Sequence, residues 1–193
     1  MKVKFAIAAL GATVLGAGSA QAGLVEEARL GVTAHNICVI DCKNADIEEG
    51  PNVSAELVFA SPDFLSWAFS PRPYLNTSIN TSGATSFVSG GLQWEFNFTD
   101  RLSFAPGLGY TVHNGETNNP YANGTPEAAE FAAEHVLLGS EDLFRTSFAL
   151  HYQMTERVGV EALYEHYSHG QILGDGRNQG MDNLGLRFSY TFD

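Results

Sequence analysis

The chain has 193 residues, of which 44% are hydrophobic and 17% charged, a composition too apolar for a disordered polymer and long enough for one folded domain. Ten basic residues stand against 22 acidic ones, a formal net charge of -12. That balance excludes nucleic acid and polybasic membrane-surface binding, which need clustered lysine and arginine.

Residues 1–22 read as a cleaved secretory signal. Lys2 and Lys4 precede an apolar run from Phe5 to about Gly18, and Ala20-Gln21-Ala22 supplies a small-x-small cleavage site. The run is shorter than the ~20 residues a membrane-spanning helix needs. The mature domain is therefore expected to be 23–193, with Lys43 as its one lysine.

Beyond the signal, the dominant pattern is alternation with period two. Strands are predicted over 26–36, 52–59, 72–79, 85–98, 102–113, 143–154, 158–167 and 183–192, eight in all. Within the fifth, Leu102, Phe104, Leu108, Tyr110 and Val112 alternate with Ser103, Ala105, Gly107, Gly109 and Thr111. The other face of several strands carries Glu95, Arg145, Glu161, Glu165 and Arg187, charges that can pair inside a narrow lumen. Strands of about 9–11 residues, apolar outside and polar inside, suit a closed barrel that crosses a bilayer with no open edge. The fold expected is all-β, an eight-stranded antiparallel up-and-down transmembrane barrel. A soluble lipocalin-like carrier would have an apolar interior and a polar outside instead.

Loop lengths orient this barrel. Residues 99–101 and 155–157 are tight turns of the periplasmic side, whereas 37–51, 113–142 and 168–182 are long, as external loops are. The 60–71 segment is longer than a usual periplasmic turn and has no evident role in the sequence. Pro126 to His135 reads as a short amphipathic helix in a solvated loop. Cys38 and Cys42 lie in the first external loop, where export favours a local disulfide, and no matching histidine pair makes them a zinc site. No metal or other cofactor is expected.

One constellation carries chemistry. His166 and Ser168 are two apart near the end of the seventh strand and share a face, and Asp182, just before the last strand, lies where a hairpin brings it beside His166. A histidine can deprotonate the serine, and a carboxylate can fix the imidazole tautomer. All three belong to the even-numbered, apolar face, so they point at lipid and not into the lumen. Glu165 points inward, toward Arg145 or Arg187. His113 closes the fifth strand near the external rim.

The runs Leu138-Gly139-Ser140, Leu143-Phe144-Arg145, Tyr164-Glu165-His166-Tyr167-Ser168 and Asn178-Gln179-Gly180-Met181-Asp182-Asn183 resemble the lipid A 3-O-deacylase family, and Arg29-Leu30-Gly31-Val32 and Pro71-Arg72-Pro73 fit its alphaproteobacterial branch. The resemblance implies an outer-membrane hydrolase of lipopolysaccharide in the outer leaflet, with nucleophile Ser168, base His166 and acid Asp182. It further implies an oxyanion or supporting role for the positions of His169, Gly170 and Asn178. Two residues depart from the best-known members, which carry Asn where this chain has His169 and Glu where it has Asp182. His169 can replace the amide donor through its ring or, with Gly170, through backbone N–H groups. The competing reading is a non-catalytic surface barrel or antigen with a decayed site. Because the acidic surface repels lipid A phosphates, divalent cations bridged by Asp41, Asp46, Glu48 and Glu49 are expected to mediate contact.

Overall fold

A computed structural model describes residues 24–192 except 41, 43 and 176. The signal-peptide assignment therefore lies outside the described residues. Among the described residues, nine strands form one antiparallel sheet: β1 (Val25–Ala34), β2 (Pro51–Phe59), β3 (Arg72–Asn80), β4 (Phe87–Gln93), β5 (Phe96–Asn97), β6 (Leu102–His113), β7 (Asp142–Gln153), β8 (Val158–Ser168) and β9 (Met181–Thr191). Every strand pairs with its sequence neighbours except that β4 and β5 do not pair with each other, both pairing with β6 instead, and β1 pairs with β9. The sheet is closed, and since β5 continues β4, the barrel has eight staves.

The sequence predicted one strand over 85–98, and the structure shortens and divides it. At its start, the amides of Thr85 and Ser86 are given to loop side chains, the Glu48 carboxylate at 2.8 Å and Asn114 Oδ1 at 2.8 Å, and leave the ladder. At its far end, Trp94 donates its N–H to Pro106 O at 2.9 Å. Proline has no N–H to return, so the ladder stops at this pair and resumes at Phe96↔Phe104.

Alternation places the side chains. Leu30, Val32, Leu108, Tyr110, Leu150, Tyr152, Leu186, Phe188 and Tyr190 are exposed on the outer wall. The bore holds buried Arg29, Arg145 and Arg187, and Glu56 forms ion pairs with all three at 3.0, 3.1 and 3.0 Å. Arg145 also meets Glu165 at 2.7 Å and Arg187 meets Glu161 at 2.7 Å. An unpaired buried charge is costly, and reciprocal pairing in a bore lined by the inner face of every strand offsets that cost. The middle of the barrel is thus filled by side chains.

Long loops gather at one end. The described residues of 35–50, 81–86, 114–141 (with helix α1, Pro126–Glu134) and 169–180 form a cap over a small core of Phe87, Val136, Leu138, Leu143, Tyr167 and Met181. Thr125 caps α1 by accepting from the Ala128 amide at 3.2 Å. His113 bonds Ser140 O through Nε2 at 2.8 Å and so ties the end of β6 to this cap. At the opposite end the turns are short apart from 60–71. That segment holds a 3-10 helix, Asp63–Ala68, followed by two left-handed non-glycine residues, Phe69 (φ 65°) and Ser70 (φ 50°). Each such residue costs about 1–2 kcal/mol.

Glu48 holds three of the cap loops together. Its Oε2 meets His35 Nε2 at 3.2 Å and accepts the Thr85 amide, while its Oε1 accepts the Val136 amide at 3.0 Å. Burial pushes its carboxyl pKa up, but the hydrogen bonds from His35, Thr85 and Val136 outweigh burial and hold it below the usual carboxylate range. A depressed carboxyl favours the folded cap above the unfolded value and loses that contribution as pH falls through the folded one. Acidification below the ordinary range near 4.5 should therefore loosen the cap, and Glu48→Gln should loosen it at neutral pH. Faster pepsin cleavage within 114–141 on acidification, with the strands still resistant, is the expected reading.

Candidate active site

β8 and β9 form a hairpin whose register sets His166 directly opposite Asp182. Asp182 is the second residue of β9, not a residue before it, because the ladder runs on through Tyr167↔Met181. His166 Nδ1 lies 2.6 Å from Asp182 Oδ1. A carboxylate only accepts, so Nδ1 carries a proton, and in the neutral imidazole this leaves Nε2 as the lone-pair nitrogen. The His166 side chain is 23% exposed, while that of Asp182 is fully buried.

Ser168 is the last residue of β8, half-buried and on the same face as His166, with the Cα atoms roughly 7 Å apart by strand geometry. This face is the outer, apolar one, in company with Tyr164, Leu184 and Phe148. Asp182 shares that parity yet escapes the surface because other groups cover it. Tyr164 O–H donates to Asp182 Oδ1 at 2.8 Å, and the Ile40 amide donates to Oδ2 at 2.7 Å. Two neutral donors beside the imidazole hold the carboxylate in a fixed position.

Sequence reasoning missed both donors. Tyr164 had a signal, since it lies two residues before His166 on one face. The Ile40 amide had none, because it arrives from a distant loop. That loop is held by the Ile37 amide bonding Asp182 O at 2.8 Å and by a Cys38–Cys42 disulfide. Its tip, Val39 and Ile40, is apolar and exposed.

Gly180 was also passed over as part of a motif. A Cβ there would lie 2.8 Å from His166 Cε1 and 3.4 Å from Nε2, so the imidazole occupies space that only glycine leaves. Gln179, next to it, accepts the Leu137 amide at 2.6 Å and donates to Asn44, linking the last loop to two others.

The structure separates His169 from the site. Alternation turns it inward one residue after Ser168, and it is fully buried. Its Nδ1 accepts the Gln171 amide at 3.2 Å, so Nε2 must donate to Arg177 O at 3.1 Å. Its own amide donates to Asn178 Oδ1 at 3.3 Å. Neither its ring nor its N–H is offered to a ligand, which corrects the oxyanion role expected for it. His169 and Asn178 together shape the turn behind Ser168. Gly170 follows in the left-handed conformation (φ 61°), which glycine adopts without strain and which re-aims the chain at the rim.

The cation-bridging expectation changes likewise. Asp41 lies outside the described residues, and Glu48 is committed to three donors inside the cap, leaving Asp46 and Glu49 of that set around a shallow cleft beside His35. Among the described residues, one cluster has metal-ligand spacing, Glu27, His151 and Glu161, deep at the short-turn end of the bore. Arg29 already bridges Glu27 and Glu161 at 2.8 and 3.3 Å, and this neutralises the carboxylates a cation would need.

A family model described as lipid A 3-O-deacylase (PagL) matches residues 88–191, more than half of the chain and the part that contains His166, Ser168 and Asp182. The chain belongs to the lipid A 3-O-deacylase (PagL) family. No curated protein matches it by sequence. Among solved structures, the outer membrane enzyme PagL is similar at 12% identity and a TM-score of 0.52, over 86% of this chain and 98% of that one. A de novo designed transmembrane β-barrel aligns at 8% identity and a TM-score of 0.49, over 88% and 95%. At such identity the likeness to the PagL structure establishes the barrel fold, while the family match brings in lipid A deacylase chemistry.

Proposed function

We propose that this protein is an outer-membrane serine esterase that removes the 3-O-linked hydroxyacyl chain of lipid A. The observation that carries the reading is the 2.6 Å contact of His166 Nδ1 with Asp182, on the outer face two residues from Ser168. His166 Nε2 takes the Ser168 proton as Oγ attacks the ester carbonyl. The C–O bond to the sugar then breaks, the sugar oxygen receives the proton from Nε2, and the acyl group stays on Ser168. Water, deprotonated by the same nitrogen, releases the fatty acid and restores the serine. Developing charge on the carbonyl oxygen is met by the Gly170 backbone N–H, one of the donors expected from the sequence.

The location supports this substrate class. A site on the apolar wall, at the long-loop end, is open to a lipid ester lying in the outer leaflet and closed to a water-soluble one. Exposed Val39, Ile40 and Ile172 at that rim supply contact for acyl chains. Incubating the folded protein in detergent with lipid A should release one ester-linked hydroxyacyl chain by mass spectrometry. Intact lipid A, from a barrel shown to be folded by its heat-modifiable gel shift, overturns the reading in favour of a non-catalytic surface barrel.

The disulfide enters the reaction through Ile40. An amide bond to a charged group contributes roughly 1.5–3 kcal/mol, so freeing the loop from Asp182 should slow hydrolysis roughly 10- to 100-fold. A Cys38→Ser, Cys42→Ser variant should show that fall in initial rate with an unchanged gel shift, and the wild type should match it after reduction.

A further inference from the structure

The 60–71 segment has no part in the site, yet it carries the most exposed aromatic side chains of the chain's short-turn end. Phe64, Trp67 and Phe69 are 73%, 81% and 84% exposed. In a 3-10 helix, residues three apart eclipse, so Phe64 and Trp67 form one apolar edge. The segment is ordered by its own backbone, with Leu65, Phe69 and Ser70 amides bonded to Pro62, Ser66 and Leu65 carbonyls at 2.9, 3.2 and 3.2 Å.

Its position identifies what covers it. Trp94 points outward from the barrel, and its indole Nε1–H donates to Ala68 O at 2.8 Å. The end of the 3-10 helix is thereby fastened to the outer wall, not hung beneath the bore. Phe96 and Phe98, exposed on the same wall, continue the apolar surface from Trp94 toward the turn. Asp63 is the one charged residue between 60 and 71, so attraction to charged headgroups contributes little.

We infer that the 60–71 turn is an interfacial anchor that inserts Phe64, Trp67 and Phe69 among phospholipids of the inner leaflet, extending the barrel's lipid-facing wall on one side. Aromatic rings at a membrane boundary bury an apolar body while leaving backbone carbonyls hydrated. The insertion also explains why the chain tolerates two successive left-handed residues, since these turn Phe69 outward. The inference rests on the membrane reading of the barrel but not on its catalytic role.

The test compares wild type with Trp67→Phe, both folded into phosphatidylcholine vesicles brominated either near the headgroup end or near the methyl end of the acyl chains. Trp94 is common to both proteins, so the difference in emission reports Trp67. Headgroup-proximal bromines should quench that difference by roughly half, deep bromines less, with no response to added salt. Emission unquenched by either lipid but open to aqueous acrylamide, from a barrel whose gel shift shows folding in vesicles, overturns the anchor and leaves a surface for a soluble partner. Failure of the barrel to fold in any vesicle overturns the membrane reading and the anchor with it.

Discussion

Replacing Ser168 with alanine should abolish acyl release from lipid A, a fall of roughly 10⁶-fold in kcat. The serine is half-buried at the end of β8 and belongs to neither core cluster, so the variant should keep the wild-type gel shift. His166→Ala should fall by a similar factor, and the double variant no further, because nucleophile and base act in one step. Asp182→Asn should lose roughly 10⁴-fold. An asparagine there turns an N–H toward either the Ile40 amide or the His166 and Tyr164 donors, so one of these loses its acceptor. Single-turnover measurement of fatty-acid release checks all four. Substantial hydrolysis by Ser168→Ala would transfer the nucleophile to another group.

Gly180→Ala should be the next most damaging change, although it touches no substrate. Gly180 has an ordinary negative-φ backbone that alanine can adopt, and its effect is confined to the added methyl beside the His166 ring. The imidazole has little freedom to yield, since Asp182 holds Nδ1 at 2.6 Å. Displacing a catalytic group by about 1 Å typically costs ~10²-fold. The variant should therefore lose that factor in kcat with KM nearly unchanged and with barrel stability intact. An equal loss of rate and of gel shift would instead show that the methyl had opened the β8–β9 hairpin.

Most of the barrel was legible in the sequence because one physical rule governs it. Each strand has an outer wall that must be apolar and a bore that must be polar, so Leu184, Leu186 and Phe188 against Asn183, Gly185 and Arg187 read directly as one stave. The rule failed where ladder bonds were diverted. Nothing local in Thr85 or Ser86 announces that distant Glu48 and Asn114 take their amides, whereas Pro106 opposite Trp94 did carry a signal, a missing donor that only register reveals. At the site, parity puts His166, Ser168 and Asp182 on one face, and the register sets His166 opposite Asp182. The same parity turns His169 inward. The roles of the Ile40 amide and Gly180 depend on loop closure and on ring volume, and neither leaves a pattern along the chain.

The arginines that fill the bore have a further consequence. With Arg29, Arg145 and Arg187 crosslinked across its width by Glu56, Glu161 and Glu165, the barrel offers no conduit from one side of a membrane to the other. Under the proposed deacylation, a fatty acid freed at the outer rim cannot be drawn inward for recovery, and its departure must be sideways, into the leaflet that held the parent lipid. In that reaction the leaflet keeps both fragments, a slimmer lipid A and a single-chain amphiphile, so each turnover would alter lateral packing twice over.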